Sequence, residues 1–242
     1  MVDERDWNEE ALQLHRKHNG KLSTIPKVKL ENAHDLSVLY TPGVAEPCRA
    51  IHKEKDFSFE LTCRGNMVAV VTDGTRVLGL GNIGPEAGLP VMEGKSILYK
   101  VFGDVDAVPI SLAVTDKDKF IETVRYLQPN FAGINLEDIQ SPKCYDIEDE
   151  LKKKMDIPVF HDDQHGTAIA CAATVRGALR VVRKDRDKAR MGVDGAGAAG
   201  TAIVRLLLNI GVENIVMLNS KGTMYDGMDM ARVNRVQAEL LK

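Results

Sequence analysis

Short apolar runs alternate with amphipathic stretches through the middle of the chain. Apolar runs that end in polar turns, and that are short enough for buried strands, lie at 67–71, 108–114, 131–136 and 157–160. Between them, residues 117–126 and 146–154 show the spacing of apolar positions that predicts helices. Because strands alternate with helices, the pattern predicts an α/β domain with a largely parallel sheet.

Glycine and proline mark two segments that precede or interrupt this pattern. A short helix is predicted at 8–18, before the Asn-Gly pair at 19–20. The segment YTPGVAEP at 40–47 carries two prolines and a glycine, which favour a rigid loop over a helix. The segment VLGLGNIGPEAGLP at 77–90 is predicted to be a glycine-rich loop that lets the backbone approach a ligand closely.

The character of the chain changes after Phe160. Residues 166–182 are apolar and alanine-rich, as in a buried helix, and a charged run follows them. We therefore predict an N-terminal domain at 1–160 and a second domain at 161–242. The second domain would contain a strand, a helix, another strand and a last helix from about Asp229. Because a doubly wound α/β domain needs two such halves, we expect the sequence to be a fragment of a longer chain.

Composition excludes several classes of protein. Lysine and arginine number 32 against 35 acidic residues, the net charge is -3, and no basic block stands out. Nucleic acid and anionic membranes are therefore poor candidate partners, and no apolar run is long enough to span a bilayer. The four cysteines form no C-x-x-C pair and the N-terminus is charged, so we predict a cytoplasmic protein with buried free thiols, and zinc ligation is the alternative.

A glycine motif, GAGAAG at 195–200, directly precedes an apolar helix. In a Rossmann-type domain its first glycine permits a tight turn, its second lets backbone amides reach a pyrophosphate, and its third allows close packing. Asn219 ends the following strand, where an acid would normally bind the ribose 2′-hydroxyl, so NADP is as plausible as NAD. The alternative is a purely structural glycine turn. The candidate cofactor-binding residues are Gly195, Gly197, Ala198, Ala199, Gly200 and Asn219.

Two acidic pairs follow predicted strands. Glu137-Asp138 ends one strand and Asp162-Asp163 ends another, and the carboxyl ends of parallel strands meet at one edge of a sheet. Carboxylate oxygens suit Mg²⁺ or Mn²⁺, so a divalent cation site is predicted there. Solvated acids in turns are the alternative. His161 and His165 flank the second pair, as metal ligands or in capping or core roles.

Three single residues complete the candidate chemistry. Lys95 follows a glycine at a predicted helix start, where we expect its pKa to be lowered towards that of a general base. Arg76 follows Asp-Gly-Thr and suits bidentate binding of a carboxylate. Tyr40 heads the proline-containing segment. The alternatives are a surface lysine, a salt-bridged arginine and a core tyrosine.

Taken together, these motifs resemble malic enzyme of the bacterial type. The similarity is carried, in order, by LYTPGVAEP, VTDGTRVLGLGNIGPEAGLPVMEGK, GINLEDIQ, FHDDQHGTAIA and GAGAAG. The resemblance implies an N-terminal α/β malic-enzyme domain followed by the first part of a Rossmann-type dinucleotide-binding domain. It also implies oxidative decarboxylation of L-malate to pyruvate and CO₂, with NAD or NADP and with Mg²⁺ or Mn²⁺.

The resemblance assigns roles to individual positions. Tyr40 would be the general acid that protonates the enol carbon, Lys95 the base that takes the C2 hydroxyl proton, and Arg76 the residue that holds a substrate carboxylate. Asp162 would be the partner of Lys95. The metal ligands would be Glu137, Asp138 and Asp163.

The resemblance further implies a homodimer with intertwined N-terminal segments and active-site residues shared between the subunits. Asn219 departs from the family pattern, which leaves the choice of cofactor open. Two other functions compete with this reading. One is an inert fragment that acts only as a dimerising or ligand-binding module, and the other is a metal-dependent oxaloacetate decarboxylase that needs no NAD.

Overall fold

The computed structural model describes residues 6–229 and 233–241, which form two β-sheets with helices around them. The first sheet contains the strands β1 (Met67–Thr72), β2 (Asp106–Ser111), β3 (Gly133–Leu136) and β4 (Val159–His161). All four strands are parallel, and their order in the sheet is β2-β1-β3-β4. The prediction of an α/β fold with a parallel sheet is therefore confirmed.

The larger hydrophobic core lies against this first sheet. Helices α5 (Pro85–Gly103), α6 (Lys117–Tyr126) and α7 (Lys143–Lys154) provide its covering layers. On one side, Phe120 of α6 and Leu151 of α7 are fully buried in the same cluster as Val71 of β1. Helix α5 packs on β1 and β2. Because helices cover it, β1 can be apolar at nearly every position, as is typical of parallel strands.

A second, smaller sheet follows a long helix, α8 (Asp162–Val181). Its strands β5 (Arg190–Asp194) and β6 (Asn214–Asn219) are parallel, and β7 (Gly222–Thr223) is antiparallel to β6. Helix α9 (Ala198–Asn209) connects β5 to β6 and packs on α8. The division of the chain near residue 160 stays a prediction. Throughout the described ranges, every helix is too short or too polar to cross a lipid bilayer.

The N-terminal helices contrast with both sheets because none of them contains a buried residue. These helices are α1 (Trp7–His18), α2 (Ala33–Leu39), α3 (Ala45–Lys53) and α4 (Phe57–Leu61). The expectation of a loop through residue 47 is wrong, since α3 begins at Ala45. Pro47 is the third residue of α3, where a backbone N–H has no partner within the helix, so the missing donor is tolerated.

The expected loop at 77–90 is also wrong in its second half. Helix α5 begins at Pro85 and contains Gly88 and Pro90. Proline is favoured in the first turn, as at Pro85, and Gly88 is buried beside Val77, so this helix forms although its composition disfavours one. Lys95 consequently lies in the middle of α5 and not at its start.

Two other helix starts differ from the prediction. Helix α8 begins at Asp162, four residues before the predicted start at 166, because the two aspartates occupy its first turn, where negative charge is favourable. The last helix, α10 (Arg235–Leu240), begins at a capping box between Asn234 and Gln237. The predicted start near residue 229 is therefore too early, and residues 230–232 lie outside the described part of the chain.

The four cysteines differ in their exposure. Cys144 is buried, but Cys48 and Cys63 are exposed, so the prediction of buried thiols is wrong for these two.

Candidate functional site

Three carboxylates converge at the carboxyl edge of the first sheet. Glu137 and Asp138 directly follow β3, and Asp163 is the second residue of α8, directly after β4. One oxygen from each of the three lies within 4.8 Å of the others. Asp138 has a φ of 55°, a left-handed conformation that aspartate tolerates better than most residues. The predicted convergence of the acidic residues is thus seen in the structure.

These carboxylates repel one another and are poorly solvated. Burial raises the pKa of Glu137 to about 7, although Lys95 opposes the shift, and the negative charge of Asp163 adds to it. Burial and the charge of Asp163 also raise the pKa of Asp138 to about 6. Among the described residues, no group forms a hydrogen bond with the buried Oδ2 of Asp138. An oxygen-rich cluster with excess negative charge and an orphaned oxygen fits a divalent cation.

Neighbouring polar groups hold these carboxylates in place. Asn135 donates through Nδ2 to Glu137 Oε2 at 2.9 Å, and the Tyr99 hydroxyl donates to Asn135 Oδ1 at 3.1 Å. The backbone amide of Asp138 donates to Asp163 Oδ2 at 2.8 Å. Tyr99 and Asn135 are not among the site residues predicted from the sequence. A single asparagine inside an otherwise apolar strand was the available signal, because a buried amide needs partners.

Lys95 points from α5 into the acidic cluster. Its Nζ lies 2.6 Å from Asp162 Oδ2 and 3.1 Å from Glu137 Oε1. Burial alone would lower the pKa of Lys95, but the hydrogen bond to Asp162 and the charge of Glu137 outweigh it and raise the pKa. The expected lowering of this pKa is therefore wrong for this structure, because Lys95 is flanked by two carboxylates. Asp162 and Lys95 are paired, as the resemblance implied.

Gly166 makes room for this pairing. It lies one turn after Asp162 on α8, and a Cβ at Gly166 would be only 2.1 Å from Asp162 Oδ1. A larger residue would push the carboxylate out of its present position beside Lys95. The steric need for a residue without a side chain therefore explains the glycine in the motif FHDDQHGTAIA.

Arg76 lies on a loop that is fixed by buried polar contacts. Buried Asp73 accepts a hydrogen bond from Thr75 Oγ1 at 2.6 Å and forms an ion pair with Lys143. The Arg76 backbone amide donates to Asp138 O at 3.0 Å, and its Nη1 donates to Leu78 O at 2.8 Å. The loop thereby places an exposed guanidinium beside the carboxylates, where it can meet an anionic ligand.

The glycine motif forms the connection from β5 to α9. Gly195 has a φ of 102°, and a Cβ at Gly200 would lie 1.7 Å from Gly195 O, so neither position accepts a side chain easily. A Cβ at Gly197 would meet no atom within 4 Å. The structure therefore gives the three glycines a tight turn, an open approach and a close contact, in the order that the motif predicts.

One cleft of about 1140 Å³ joins the two groups of residues. Arg76, Lys95 and the acidic residues line one end of it, and the glycine loop lines the other. The predicted site residues in its lining are Arg76, Lys95, Glu137, Asp138, Asp162, Asp163, Gly195, Gly197, Ala198, Ala199 and Gly200.

Two predicted site residues are not among the described residues that line this cleft. Tyr40 follows α2 and is 68% exposed. Asn219 accepts a hydrogen bond from the Lys221 backbone amide at 2.8 Å, so its side chain is engaged in the turn between β6 and β7. The two histidines, His161 and His165, contact carboxylates and are not members of the cluster formed by Glu137, Asp138 and Asp163. His165 Nε2 lies 2.7 Å from Glu148 Oε1, and buried His161 lies beside Asp163.

Comparisons with known proteins agree with this geometry. The family model for the malic enzyme N-terminal domain matches residues 19–152. The chain is 55% identical over 234 residues to the bifunctional malic/malolactic enzyme of Bacillus subtilis, covering 97% of this chain and 57% of that protein. It is 50% identical to the NADP-dependent malic enzyme of Escherichia coli, covering 87% of this chain and 28% of that protein.

A solved structure shows the same similarity in three dimensions. The NAD-dependent malic enzyme from Thermotoga maritima matches with a TM-score of 0.91 and 44% identity. The match covers 100% of this chain and 62% of the other. The chain thus spans from just over a quarter to about three fifths of the length of these relatives.

Proposed function

This chain belongs to the malic enzyme family, and from that premise we propose that it takes part in the oxidative decarboxylation of L-malate to pyruvate and CO₂, with reduction of NAD or NADP. The observation that carries the proposal is the single cleft, which has carboxylates, Lys95 and Arg76 at one end and the glycine loop at the other. A metal-chelated hydroxy acid and a dinucleotide need these two environments side by side.

We propose that Glu137, Asp138 and Asp163 hold Mg²⁺ or Mn²⁺. The orphaned oxygen of Asp138 and the raised pKa values of Asp138 and Glu137 support this proposal, since a cation would offset both. The bound cation would supply Lewis-acid polarisation of the oxygen at malate C2, and the bound nicotinamide would supply a hydride acceptor for that carbon.

Lys95 would accept the proton of the C2 hydroxyl. In the present structure its raised pKa keeps it as an ammonium, so it must first release a proton. Asp162, 2.6 Å away, is the adjacent acceptor for that proton. Arg76 would bind a malate carboxylate with its exposed guanidinium, and this contact would orient the substrate for both steps.

Tyr40 would donate the proton to C3 after CO₂ leaves. Tyr40 is exposed and does not line the cleft of its own subunit. We therefore propose that Tyr40 contributes to the active site of a second copy of the chain. The N-terminal helices carry exposed apolar side chains but bury none, and a homodimer would cover them. This interface would use exposed apolar side chains of α1, of α2 and of the segment between them, namely Leu12, Leu14, Ile25, Val28, Leu30, Leu36, Val38 and Leu39.

The glycine loop would bind the pyrophosphate of NAD or NADP through its backbone amides. Asn219 supplies no carboxylate for a ribose hydroxyl, and its side chain is used in a turn, so both nucleotides belong in the test. A catalytic domain at 1–160, a nucleotide-binding domain from 161, and a cytoplasmic location remain parts of this proposal.

The test is a turnover assay with Mn²⁺, L-malate and either NAD or NADP, in which nucleotide reduction, pyruvate and lactate are all measured. Lactate is included because one relative is named a malic/malolactic enzyme. We expect nucleotide reduction and pyruvate formation, with both lost in Lys95→Ala while Mn²⁺ still binds. Pyruvate from oxaloacetate without nucleotide, in the absence of any nucleotide reduction from malate, would favour a simple decarboxylase and contradict the proposal.

A further inference from the structure

His161 is a buried titratable residue that the proposed mechanism does not use. It is the last residue of β4 and its side chain is fully buried. Its Nε2 lies 3.1 Å from Asp163 Oδ2, although the N–H is not aligned well enough to count as a hydrogen bond. No described residue forms a hydrogen bond with this nitrogen. A buried polar nitrogen that faces only a carboxylate calls for an explanation.

The neighbours of His161 determine which nitrogen carries its hydrogen. Glu148 forms an ion pair with Lys152 at 2.7 Å, and a carboxylate that is ionised only accepts hydrogen bonds. The side-chain nitrogen of Gln164 must therefore face Glu148, to which it donates at 2.9 Å. The same nitrogen lies 2.8 Å from His161 Nδ1. An amide nitrogen cannot accept, so Nδ1 accepts and the hydrogen of a neutral His161 resides on Nε2.

The fixed tautomer has a consequence for Asp163. Its Oδ2 accepts from the Asp138 backbone amide at 2.8 Å and is approached by the Nε2–H of His161. Asp163 Oδ2 is thus held by one hydrogen bond, from the Asp138 amide, and by the close contact of His161 Nε2. A ligand that is already oriented loses less side-chain freedom when the cation binds.

We infer that His161, set in its Nε2–H tautomer by Gln164 and Glu148, is a positioning residue that orients Asp163 for the divalent cation. The inference rests on the proposed function, because it assumes that Asp163 is a metal ligand. The inference gives a role in metal binding to three buried residues of α7, α8 and β4, namely Glu148, Gln164 and His161.

The first experiment measures Mn²⁺ affinity by electron paramagnetic resonance of free Mn²⁺. In His161→Phe, which keeps the ring volume but removes the donor, we expect roughly 10–100-fold weaker binding, as is typical when the partner of a metal ligand is lost. In His161→Gln, whose amide nitrogen reaches about as far as Nε2, we expect most of the affinity to return.

The control variant is His165→Gln. It removes the contact of His165 Nε2 to Glu148, which belongs to the same group of buried residues, and it leaves His161 and its contact to Asp163 in place. We expect its Mn²⁺ affinity to stay within about twofold of wild type. Equal losses in His165→Gln and His161→Phe, or no rescue by His161→Gln, would overturn the inference by showing that only packing matters.

A second measurement needs no variant and therefore does not depend on folding of a mutant. The nitrogen-15 NMR spectrum of the histidine side chains reports the tautomer of His161 directly. We expect the Nε2–H form, and a proton on Nδ1 instead would overturn the inference. Wild-type protein that binds no Mn²⁺ would overturn the proposed metal site as well, whereas tight binding that His161→Phe leaves unchanged would overturn the inference alone.

Discussion

The two ends of the cleft are built by opposite means. At the acidic end, buried or half-buried side chains hold negative charge in place, and Asn135 and Asp138 donate to two of the carboxylates. At the glycine end, the shape of the loop depends on residues that have no side chain, and a Cβ at Gly197 would point into open space. The acidic end should therefore be sensitive to a change of charge, and the glycine end should be sensitive to a single added methyl group.

This difference also predicts how the two ends respond to their ligands. The acidic end destabilises the protein without a cation, because buried carboxylates repel one another. The glycine end stores little repulsion, since it offers backbone amides at the start of a helix. Substitutions at one end should therefore leave ligand binding at the other end intact.

The largest effect is expected from Asp138→Asn. This change keeps the shape of the side chain but removes one negative charge from the three-carboxylate cluster. We expect Mn²⁺ affinity, measured by calorimetric titration, to fall by more than about 100-fold, because even changes behind a ligand cost roughly 10–100-fold. Dinucleotide affinity should not change. Asp118→Asn, at an exposed position on α6, is the matched control, and an equal loss in it would refute the assignment.

A pH dependence of stability should follow from the acidic end. The pKa of Glu137 is raised to about 7, so the folded metal-free protein favours its protonated form more than the unfolded chain does. That contribution to stability is complete below the unfolded pKa near 4.5 and is lost as the pH rises through about 7. We expect metal-free protein to lose on the order of 2 kcal/mol between pH 5 and pH 8, in urea unfolding, relative to Glu137→Gln.

Addition of Mn²⁺ provides the control for this pH effect. A bound cation favours ionised Glu137, so it should remove most of the loss at high pH. Parallel pH profiles for wild type and Glu137→Gln, without metal, would contradict the electrostatic account of the acidic end.

At the glycine end, Gly200→Ala should act on folding. Its Cβ would lie 1.7 Å from Gly195 O, a backbone atom that cannot move without opening the turn. We expect a loss of about 1–3 kcal/mol in the free energy of unfolding, as for other overpacked sites. Chemical denaturation measures this loss, and an unchanged midpoint would show that the close contact is unimportant.

Gly197→Ala should have the smallest effect on the fold and a selective effect on binding. Gly197 has an ordinary φ of -83° and open space in front of it, so stability should stay within about 0.5 kcal/mol of wild type. The added methyl group would occupy the approach of the pyrophosphate, and we expect roughly tenfold weaker dinucleotide binding. Unchanged dinucleotide binding would place the nucleotide elsewhere.

Local patterns predicted the parts of the fold that depend on neighbours in sequence. Helix α6 has the predicted bounds, and the acidic residues converge because each pair directly follows a parallel strand. The course of α5 was not predictable in this way, because the helix contains Gly88 and Pro90, which local propensity disfavours inside a helix. The same holds for the pKa of Lys95, which depends on Asp162 and Glu137, distant in sequence but adjacent in space.

The contacts around the carboxylates could not be predicted from the sequence either. Asn135, Tyr99 and His161 act through hydrogen bonds or close contacts whose partners depend on which strands and helices are adjacent. Strand order could not be derived from the sequence. Tyr40 belongs to a recognisable motif but does not line the cleft of its own chain, so its proposed role depends on the proposed homodimer.

The most direct test of the account is an anomalous diffraction map from crystals grown with Mn²⁺ and L-malate. We predict one strong peak roughly 2.0–2.6 Å from carboxylate oxygens of Glu137, Asp138 and Asp163, the distances typical of divalent cations with oxygen ligands. Malate should lie between that peak and Arg76. A fully occupied peak elsewhere, with these three carboxylates free of metal, would contradict the central claim.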